Sequence, residues 1–169
     1  GDDASHHETI RHGLLSIEEL VNERVDFLIV VLGNAVTAFS KDLDRAVEIL
    51  EDRTEIDSVI SVSEFNMFNP FRAYYLDNQG GLDTIVPQRL IKEYSRLENT
   101  NDKNAAGDVY FFNGSFWAIR RRAVMENNGL LPFPWLGKKI SPLMQPVCME
   151  IDAYWQLDWL RAGHEVETQ

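Results

Sequence analysis

The sequence has little of what anchors or cross-links many small proteins: one cysteine, no long apolar run and few basic residues. Cys148 stands alone, so no disulfide can form within the chain, which favours a reducing cytoplasm. The longest apolar stretch, Phe27 to Leu32, has six residues, far fewer than the roughly 20 that cross a bilayer. The chain shows no charged-then-apolar secretory leader. We therefore expect a cytoplasmic protein without a membrane span.

Basic residues are too few and too scattered for broad attraction to polyanions. The chain has 16 Lys and Arg against 27 Asp and Glu, a net charge of −11. The excess lies in residues 1–64, which hold 15 acidic and 5 basic side chains. Binding to DNA, RNA or anionic membrane needs clustered Lys and Arg, so these partners are not expected. An anionic ligand would have to be met by local positive groups.

Glycine and proline are also sparse, at 10 and 6 of 169 residues, which excludes a linker or low-complexity chain. A chain of this length buries roughly 70% of its unfolded surface and can build a core without metals or disulfides. We predict one domain spanning residues 1–169. Because the chain begins at Gly1 rather than Met, we expect a fragment, a processed product or a trimmed chain.

Apolar spacing predicts alternating helices and strands. Period-3.6 stripes indicate helices, and β-branched apolar runs indicate buried strands. Ser40 is a candidate N-cap for the second helix. In chain order we predict a helix at about 6–22, strand 27–32, a helix after Ser40, strand 58–62, a hairpin of 72–76 with 82–86, a polar loop at 98–108, a central strand at 109–119, a short helix at 120–127, irregular chain at 130–136 and a final helix containing Tyr154 to Arg161.

This alternation predicts an α/β fold, a three-layer sandwich around a mainly parallel, Rossmann-like mixed sheet. The first strand, helix and returning strand form a βαβ unit with an expected right-handed crossover. Ligands of such folds bind at the carboxyl ends of parallel strands, near a topological switch point. That location selects Gly33 and Asn34, which follow the first strand, as candidate substrate-binding residues.

Two carboxylates near the end of the chain are candidate metal ligands. Glu150 and Asp152 are two residues apart, so in an extended segment both project from the same face. Mg²⁺ usually takes one or two protein carboxylates and leaves its other positions to water and phosphate oxygens. A solvated strand end explains the same spacing, and both interpretations stay open.

Other polar positions also have two interpretations. Asn113-Gly114 interrupts an apolar strand, which indicates either a bulge or the close approach of a ligand. The runs Arg120 to Arg122 and Lys138-Lys139 are either anion contacts or solvated helix starts and turns. The spacing of His7 and His12 favours surface histidines over a metal site, and Cys148 is more typical of a core residue than of a nucleophile.

Taken in order, several segments resemble the acylneuraminate cytidylyltransferases, which activate sialic acid and other nonulosonic acids, and more distantly the ketodeoxyoctonate cytidylyltransferases. The matching segments are Asp2 to Ser5 with His12 and Leu14, Asp26 to Val31, Asp42-Leu43, Ser58 to Glu64, Tyr110 to Gly114, and Glu150 to Asp152 with Asp158-Trp159. The Y-x-x-N-G pattern, read here as Tyr110 to Gly114, is the most specific of them. The resemblance extends over nearly the whole chain.

The resemblance implies a nucleotide-diphospho-sugar transferase fold and the transfer of CMP from CTP to an acidic nine-carbon sugar, with release of pyrophosphate. It implies Mg²⁺ held by the catalytic residue Asp152, with Glu150 as a second ligand. Asn113 and Gly114 would line the sugar pocket, where the glycine lets the ligand approach. It also implies a homodimer.

Several positions depart from the family pattern. Leu32 replaces a glutamine that contacts the sugar, Asn34 takes the place of a threonine or aspartate, and Glu150 replaces the first aspartate of the terminal pair. Lys103 stands where the family has a carboxylate-binding arginine, so it keeps the charge and loses the bidentate fork. These changes favour a sugar other than N-acetylneuraminate.

The family's opening strand and its L-x-A-R-x-G-S loop, which hold CTP, have no counterpart in residues 1–169. We therefore expect an incomplete cytidylyltransferase-like domain that is inactive alone if it is truly truncated. Two alternatives remain. One is a non-catalytic sugar-binding or assembly module with the same fold, and the other is a nucleotidyltransferase for a different sugar, such as a neutral sugar phosphate.

Overall fold

The structure, a computed structural model, describes residues 5–35, 38–146 and 150–158. The chain forms two compact units: unit 1 comprises Gly1–Val62 and Phe112–Gln169, and unit 2 comprises Ser63–Phe111. Among the described residues, no helix is both long enough and apolar enough to span a membrane. The expectation of a single domain over 1–169 stays a prediction. Cys148 and the end of the expected final helix lie outside the described residues.

The regular elements alternate as the sequence predicts. They are α1 (His6–Val21), β1 (Phe27–Val31), α2 (Ser40–Asp52), β2 (Ser58–Glu64), β3 (Tyr74–Leu76), β4 (Leu82–Thr84), α3 (Gln88–Tyr94), β5 (Tyr110–Arg120), α4 (Arg121–Glu126) and β6 (Ile140–Met144). Residues 154–158 are helical.

The two longest helices begin differently. Ser5 caps α1 through a reciprocal capping box with Glu8, which satisfies backbone donors in the first turn. Ser40 was predicted to cap α2, and this is wrong: Phe39 is the N-cap, Ser40 is the first helical residue, and no side chain caps the helix. Local sequence alone did not separate the cap position from the first helical position.

Four strands of the described chain form a mixed sheet in the order β1-β5-β2-β6. β5 is antiparallel to β1, with Val31 opposite Phe116, and β6 is parallel to β2. The Arg120 N–H at the end of β5 donates to the Asp57 carbonyl just before β2 at 2.9 Å, so β5 also runs against β2. Three strands therefore point one way, and the βαβ pair β1 and β2 has β5 between its members.

Alternate residues of β5 supply two separate cores, because successive side chains of a strand point to opposite faces. Trp117 and Ile119 pack with buried residues of α1 and α4, including Leu14 and Val124. Phe116 and Ala118 pack with α2 and with β2 and β6 through the cluster of Ala46, Leu50, Ile56, Val59 and Leu143. This burial on both sides explains why β5 has apolar residues on both faces, the pattern that predicted a central strand.

Two elements were not predicted. β6 contains Pro142, which normally argues against a strand because proline cannot donate to the ladder. Among the strands of the described residues, β6 is last in the sheet order and pairs with β2 alone, so proline is tolerated. The other missed element is the seven-residue helix α3. None of its described residues is buried, and its sequence therefore shows little apolar periodicity.

The Arg120–Arg122 run stabilises the amino-terminal side of the sheet. Arg120 donates to carbonyls at the end of α2, those of Leu50 and Arg53, and to the Ile56 carbonyl. Arg121 pairs with Glu18 of α1 at 2.7 Å, which lowers the pKa of the Glu18 carboxyl. These contacts favour a structural role over an anion site.

The Asp57 carboxylate accepts several hydrogen bonds in this region, and its replacement gives a first testable prediction. Burial alone would raise the pKa of its carboxyl, but the backbone N–H groups of Lys139 and Lys138 and the Arg122 guanidinium outweigh burial and hold the pKa below its ordinary value. Asp57→Asn should therefore reduce the free energy of unfolding at pH 7 by about 2 kcal/mol. Urea denaturation measures this change.

The pH dependence of that loss has a defined sign. A carboxyl with a depressed folded-state pKa stabilises the protein above its unfolded pKa, about 3.9, and this contribution disappears as pH falls through the folded value. The difference between wild type and Asp57→Asn should therefore shrink below about pH 4. Asp52→Asn, a change at an exposed aspartate of α2, is the matched control and should leave stability within about 0.5 kcal/mol. An equal loss in both variants would contradict the assignment.

Candidate functional site

The carboxyl ends of the three parallel strands lie along one edge of the sheet, as the α/β pattern predicts. Gly33 and Asn34 form the turn that follows β1, directly after Leu32. Gln145 follows β6, and its backbone N–H donates to the Val62 carbonyl of β2 at 2.9 Å. The residues that follow β1 and β6, two strands far apart in sequence, therefore lie at this edge.

The segment with the two predicted carboxylates crosses this edge. Ala35 forms an antiparallel bridge with Glu150, and the Ile151 N–H donates to the Asn34 carbonyl at 3.0 Å. The Asn34 side-chain amide donates to Asp152 Oδ1 at 2.8 Å. The loop after β1 thus fixes both the backbone of the segment and the orientation of the Asp152 carboxylate. Asn34 was predicted as a substrate contact, and the contact found here is with the metal-ligand candidate.

The other carboxylate, that of Glu150, lies against the Asn113-Gly114 interruption of β5. Gly114 has φ +75°, a conformation that L side chains rarely adopt. A Cβ added at Gly114 would overlap the Oε1, Cδ and Cγ atoms of Glu150. The space left by the missing side chain is therefore filled by Glu150. The group that approaches Gly114 closely is thus the Glu150 side chain, and both the bulge and the approach of a ligand stay predictions.

Beside Gly114 lies a polar chain that the sequence analysis missed. The Asn113 amide donates to Gln145 Oε1 at 3.2 Å, and Gln145 Nε2 donates to Asp42 Oδ2 at 2.6 Å. Asn113 and Gln145 are 7% and 8% exposed, so these amides are held rigidly. A polar residue after a parallel strand would have indicated Gln145, but β6 was not predicted. Asp42 entered only as part of the family resemblance.

Unit 1 thus brings together five of the predicted site residues: Asn34, Asn113, Gly114, Glu150 and Asp152. Gly33, which precedes Asn34, is exposed, with open space around its α-carbon. Lys103 belongs to unit 2, where it is exposed and its carbonyl accepts from the Asn69 amide at 3.2 Å. The roles of all these residues in substrate binding stay predictions.

The donor chemistry of this edge fits a hard divalent cation. Glu150 is half-buried against Gly114, while Asp152 is exposed and keeps Oδ2 for a ligand as Oδ1 accepts from Asn34. An amide that orients a carboxylate is the usual support of a metal ligand. In the described residues no group of three or more His, Cys, Asp or Glu could form a metal cage on its own. Two carboxylates suit Mg²⁺, which completes its shell with water and phosphate oxygens.

A surface groove lies elsewhere, along the exposed side of α1. Its lining residues are His7, Glu8, Arg11, His12, Leu15, Ser16 and Glu19. A single helix lines it, and it contains none of the residues that converge at the sheet edge. The shape of the surface and the chemistry of the residues therefore point to different places, and the chemistry favours the sheet edge, where groups from several elements converge.

No family model matches the sequence, and no curated protein matches it significantly. Solved structures do. The chain is similar to the structure of CMP:2-keto-3-deoxy-manno-octonic acid synthetase complexed with CTP, with a TM-score of 0.57, 12% identity, and 98% of this chain and 70% of that chain covered. It also matches a mutant UDP-glucose pyrophosphorylase from Leishmania major with a TM-score of 0.49, 15% identity, and 83% and 38% coverage. The mixed α/β fold, with its mainly parallel sheet, is therefore that of the first of these enzymes.

Proposed function

We propose that the protein is a cytidylyltransferase that transfers CMP from CTP to an acidic sugar of the nonulosonic type, such as sialic, legionaminic or pseudaminic acid, and releases pyrophosphate. The proposal includes a three-layer arrangement around the sheet, a homodimeric enzyme and a cytoplasmic location, the last on the basis of the single cysteine. The observation that carries it is the convergence of Glu150, Asp152 and Asn34 with Gly114 at the carboxyl edge of a sheet of this fold.

Electrostatics supports a bound cation in this proposal. Two carboxylates at the edge would repel a triphosphate or a sugar acid unless a cation lies between them and the substrate. Asp152 and Glu150 would hold Mg²⁺, which when bound polarises phosphate oxygens and neutralises the charge that develops on them. The Asn34 amide orients the Asp152 carboxylate, and the Glu150 side chain occupies the space that a side chain at position 114 would fill.

The buried amides give this edge a further capacity. Asn113 and Gln145 are held by each other and by Asp42, so the polar wall that they form beside Gly114 is preorganised. A rigid polar wall beside a metal site suits a sugar, which is recognised by shape and by directional contacts rather than by charge alone. We therefore place the sugar beside Asn113 and the phosphates beside Asp152.

The test is a reaction of the full-length protein with CTP, Mg²⁺ and a panel of acidic sugars: 3-deoxy-manno-octulosonic, N-acetylneuraminic, legionaminic and pseudaminic acids. Pyrophosphate release and the mass of the CMP-sugar are measured. We expect turnover with at least one acid, on the order of 1–10 per second. UTP with glucose 1-phosphate is the control for a transferase of neutral sugar phosphates. Turnover with that pair and with no acidic sugar would contradict the proposal.

A second candidate is a non-catalytic sugar-binding module. The replacement of the family's sugar-contacting glutamine by Leu32 and of its arginine by Lys103 favours it. Calorimetric titration separates the two functions: binding of an acidic sugar without pyrophosphate release in the presence of CTP and Mg²⁺ supports the module.

A further inference from the structure

The polar chain of Asp42, Gln145 and Asn113 runs from the first turn of α2 to the backbone of β5. Asp42 Oδ2 accepts from Gln145 Nε2 at 2.6 Å, and Gln145 Oε1 accepts from the Asn113 amide at 3.2 Å. Asn113 Oδ1 in turn accepts from the backbone N–H of Ser115 at 3.2 Å. This last hydrogen bond spans Gly114. The polar chain therefore ends on the backbone on both sides of that glycine.

The carboxylate sets the direction of the hydrogen bonds in the polar chain. An ionised carboxylate only accepts, whereas an amide side chain has an accepting and a donating end and can rotate to present either. Gln145 therefore turns its NH₂ group to Asp42 and its oxygen to the Asn113 amide. The Asn113 oxygen then faces the Ser115 N–H. With the opposite direction, the Asn113 NH₂ group would meet that N–H, and two donors would face each other.

Each end of the polar chain is anchored by backbone hydrogen bonds. The Asp42 N–H donates to the Phe39 carbonyl at 3.0 Å in the first turn of α2, where the helix dipole favours a negative charge. The backbone N–H of Gln145 donates to the Val62 carbonyl at 2.9 Å. Asn113 and Gln145 are 7% and 8% exposed, so water competes little for their hydrogen bonds. The polar chain thus links α2 and the ends of β2 and β6 to β5.

We propose that Asp42 is a positioning residue, which through the two amides holds the left-handed backbone of Gly114 and with it the place of the Glu150 carboxyl. Gly114 has φ +75°, and its backbone lies directly against the Glu150 side chain. A shift of this backbone therefore moves the carboxyl. The step from Glu150 to a bound cation rests on the proposed function, whereas the step from Asp42 to Gly114 does not.

Amide hydrogen exchange, followed by NMR on the full chain, tests the polar chain without a metal. Asp42→Ala removes the acceptor of the Gln145 amide. We expect the Ser115 N–H then to exchange at least about fivefold faster relative to the Phe116 N–H. Phe116 is the internal reference for overall stability, because its N–H donates to Ser61 Oγ at 3.1 Å. Asp42→Asn keeps an oxygen that accepts from Gln145 and should restore the wild-type ratio of exchange rates.

Binding of Mn²⁺, followed by electron paramagnetic resonance, tests the link to the carboxyl. We expect about fivefold weaker affinity in Asp42→Ala and an affinity within about twofold of wild type in Asp42→Asn. Gln145→Met interrupts the polar chain at its middle and should reproduce both changes of Asp42→Ala, which gives a second test if the first variant is unfolded by circular dichroism. Asp44→Ala, at an exposed aspartate of the same helix, is the matched control and should change neither quantity.

The outcomes separate this proposal from the proposed function. An unchanged exchange ratio in the folded Asp42→Ala or Gln145→Met variant would overturn the proposal, and so would a raised ratio with unchanged Mn²⁺ affinity. Defects in Asp42→Asn as large as those in Asp42→Ala would also overturn it, because they would assign the effect to charge rather than to the hydrogen bond. A wild type that binds no Mn²⁺ would contradict the proposed function, and the exchange ratio would still decide whether Asp42 holds Gly114.

Discussion

Asp152→Asn should lower the rate of the proposed CMP transfer by about 100-fold or more while leaving the fold intact. Asparagine has the shape of aspartate and can still accept from the Asn34 amide through its carbonyl oxygen, so the segment stays bridged to the loop after β1. The negative charge and the second carboxylate oxygen are lost. The expected defect is therefore in cation binding and in the rate of the chemical step rather than in stability.

Binding of Mn²⁺ as a probe for Mg²⁺, followed by electron paramagnetic resonance, measures the first of these defects without turnover. We expect at least a tenfold weaker affinity in Asp152→Asn. Asp44→Asn removes another exposed aspartate, one that belongs to α2, and controls for the change in net charge. Equal Mn²⁺ affinities in the wild type and Asp152→Asn would contradict the proposal that Asp152 is a metal ligand, whatever the activity.

Gly114→Ala is expected to have the second largest effect, because it acts on backbone and neighbour together. Alanine at φ +75° costs about 1–2 kcal/mol. Its Cβ would also displace the Glu150 carboxyl from its seat. We expect a loss of about 2 kcal/mol in stability, measured by urea denaturation, and about tenfold weaker Mn²⁺ binding.

Two comparisons isolate the part of the Gly114→Ala effect on Mn²⁺ binding that acts through the Glu150 carboxyl. Gly80 has φ +80° with open space around its α-carbon, so Gly80→Ala carries the same kind of backbone strain and should leave Mn²⁺ affinity unchanged. In a Glu150→Ala background, Gly114→Ala should weaken Mn²⁺ binding no further. An undiminished effect of Gly114→Ala in that background would mean that the glycine acts on the site by another route.

Elements with strong one-dimensional signals were predictable from the sequence. The period-3.6 apolar stripe of α1 and the apolar runs of β1 and β5 predicted their elements to within one or two residues. β6 was missed because the proline signal is local, whereas its tolerance depends on a position at the sheet edge. The separation of β1 and β2 by β5 was missed for a similar reason: strand order is set by tertiary pairing, which periodicity does not encode.

The candidate site divides in the same way. Spacing selected Glu150 and Asp152, and position after a strand selected Asn34. That Asn34 contacts Asp152, and that Gly114 makes room for Glu150, depend on residues brought together over separations of 118 and 36 positions. The Asp42–Gln145–Asn113 chain was missed with β6, because it depends on packing that brings together residues 103 and 32 positions apart.

The bridge between Ala35 and Glu150 ties the order of synthesis to the assembly of this edge of the sheet. The first half of that edge leaves the ribosome more than a hundred residues before the second, and closing so long a loop is favourable once the intervening sheet already holds its ends together. A nascent chain can therefore form this contact only after the strands between the two positions have been synthesised and paired.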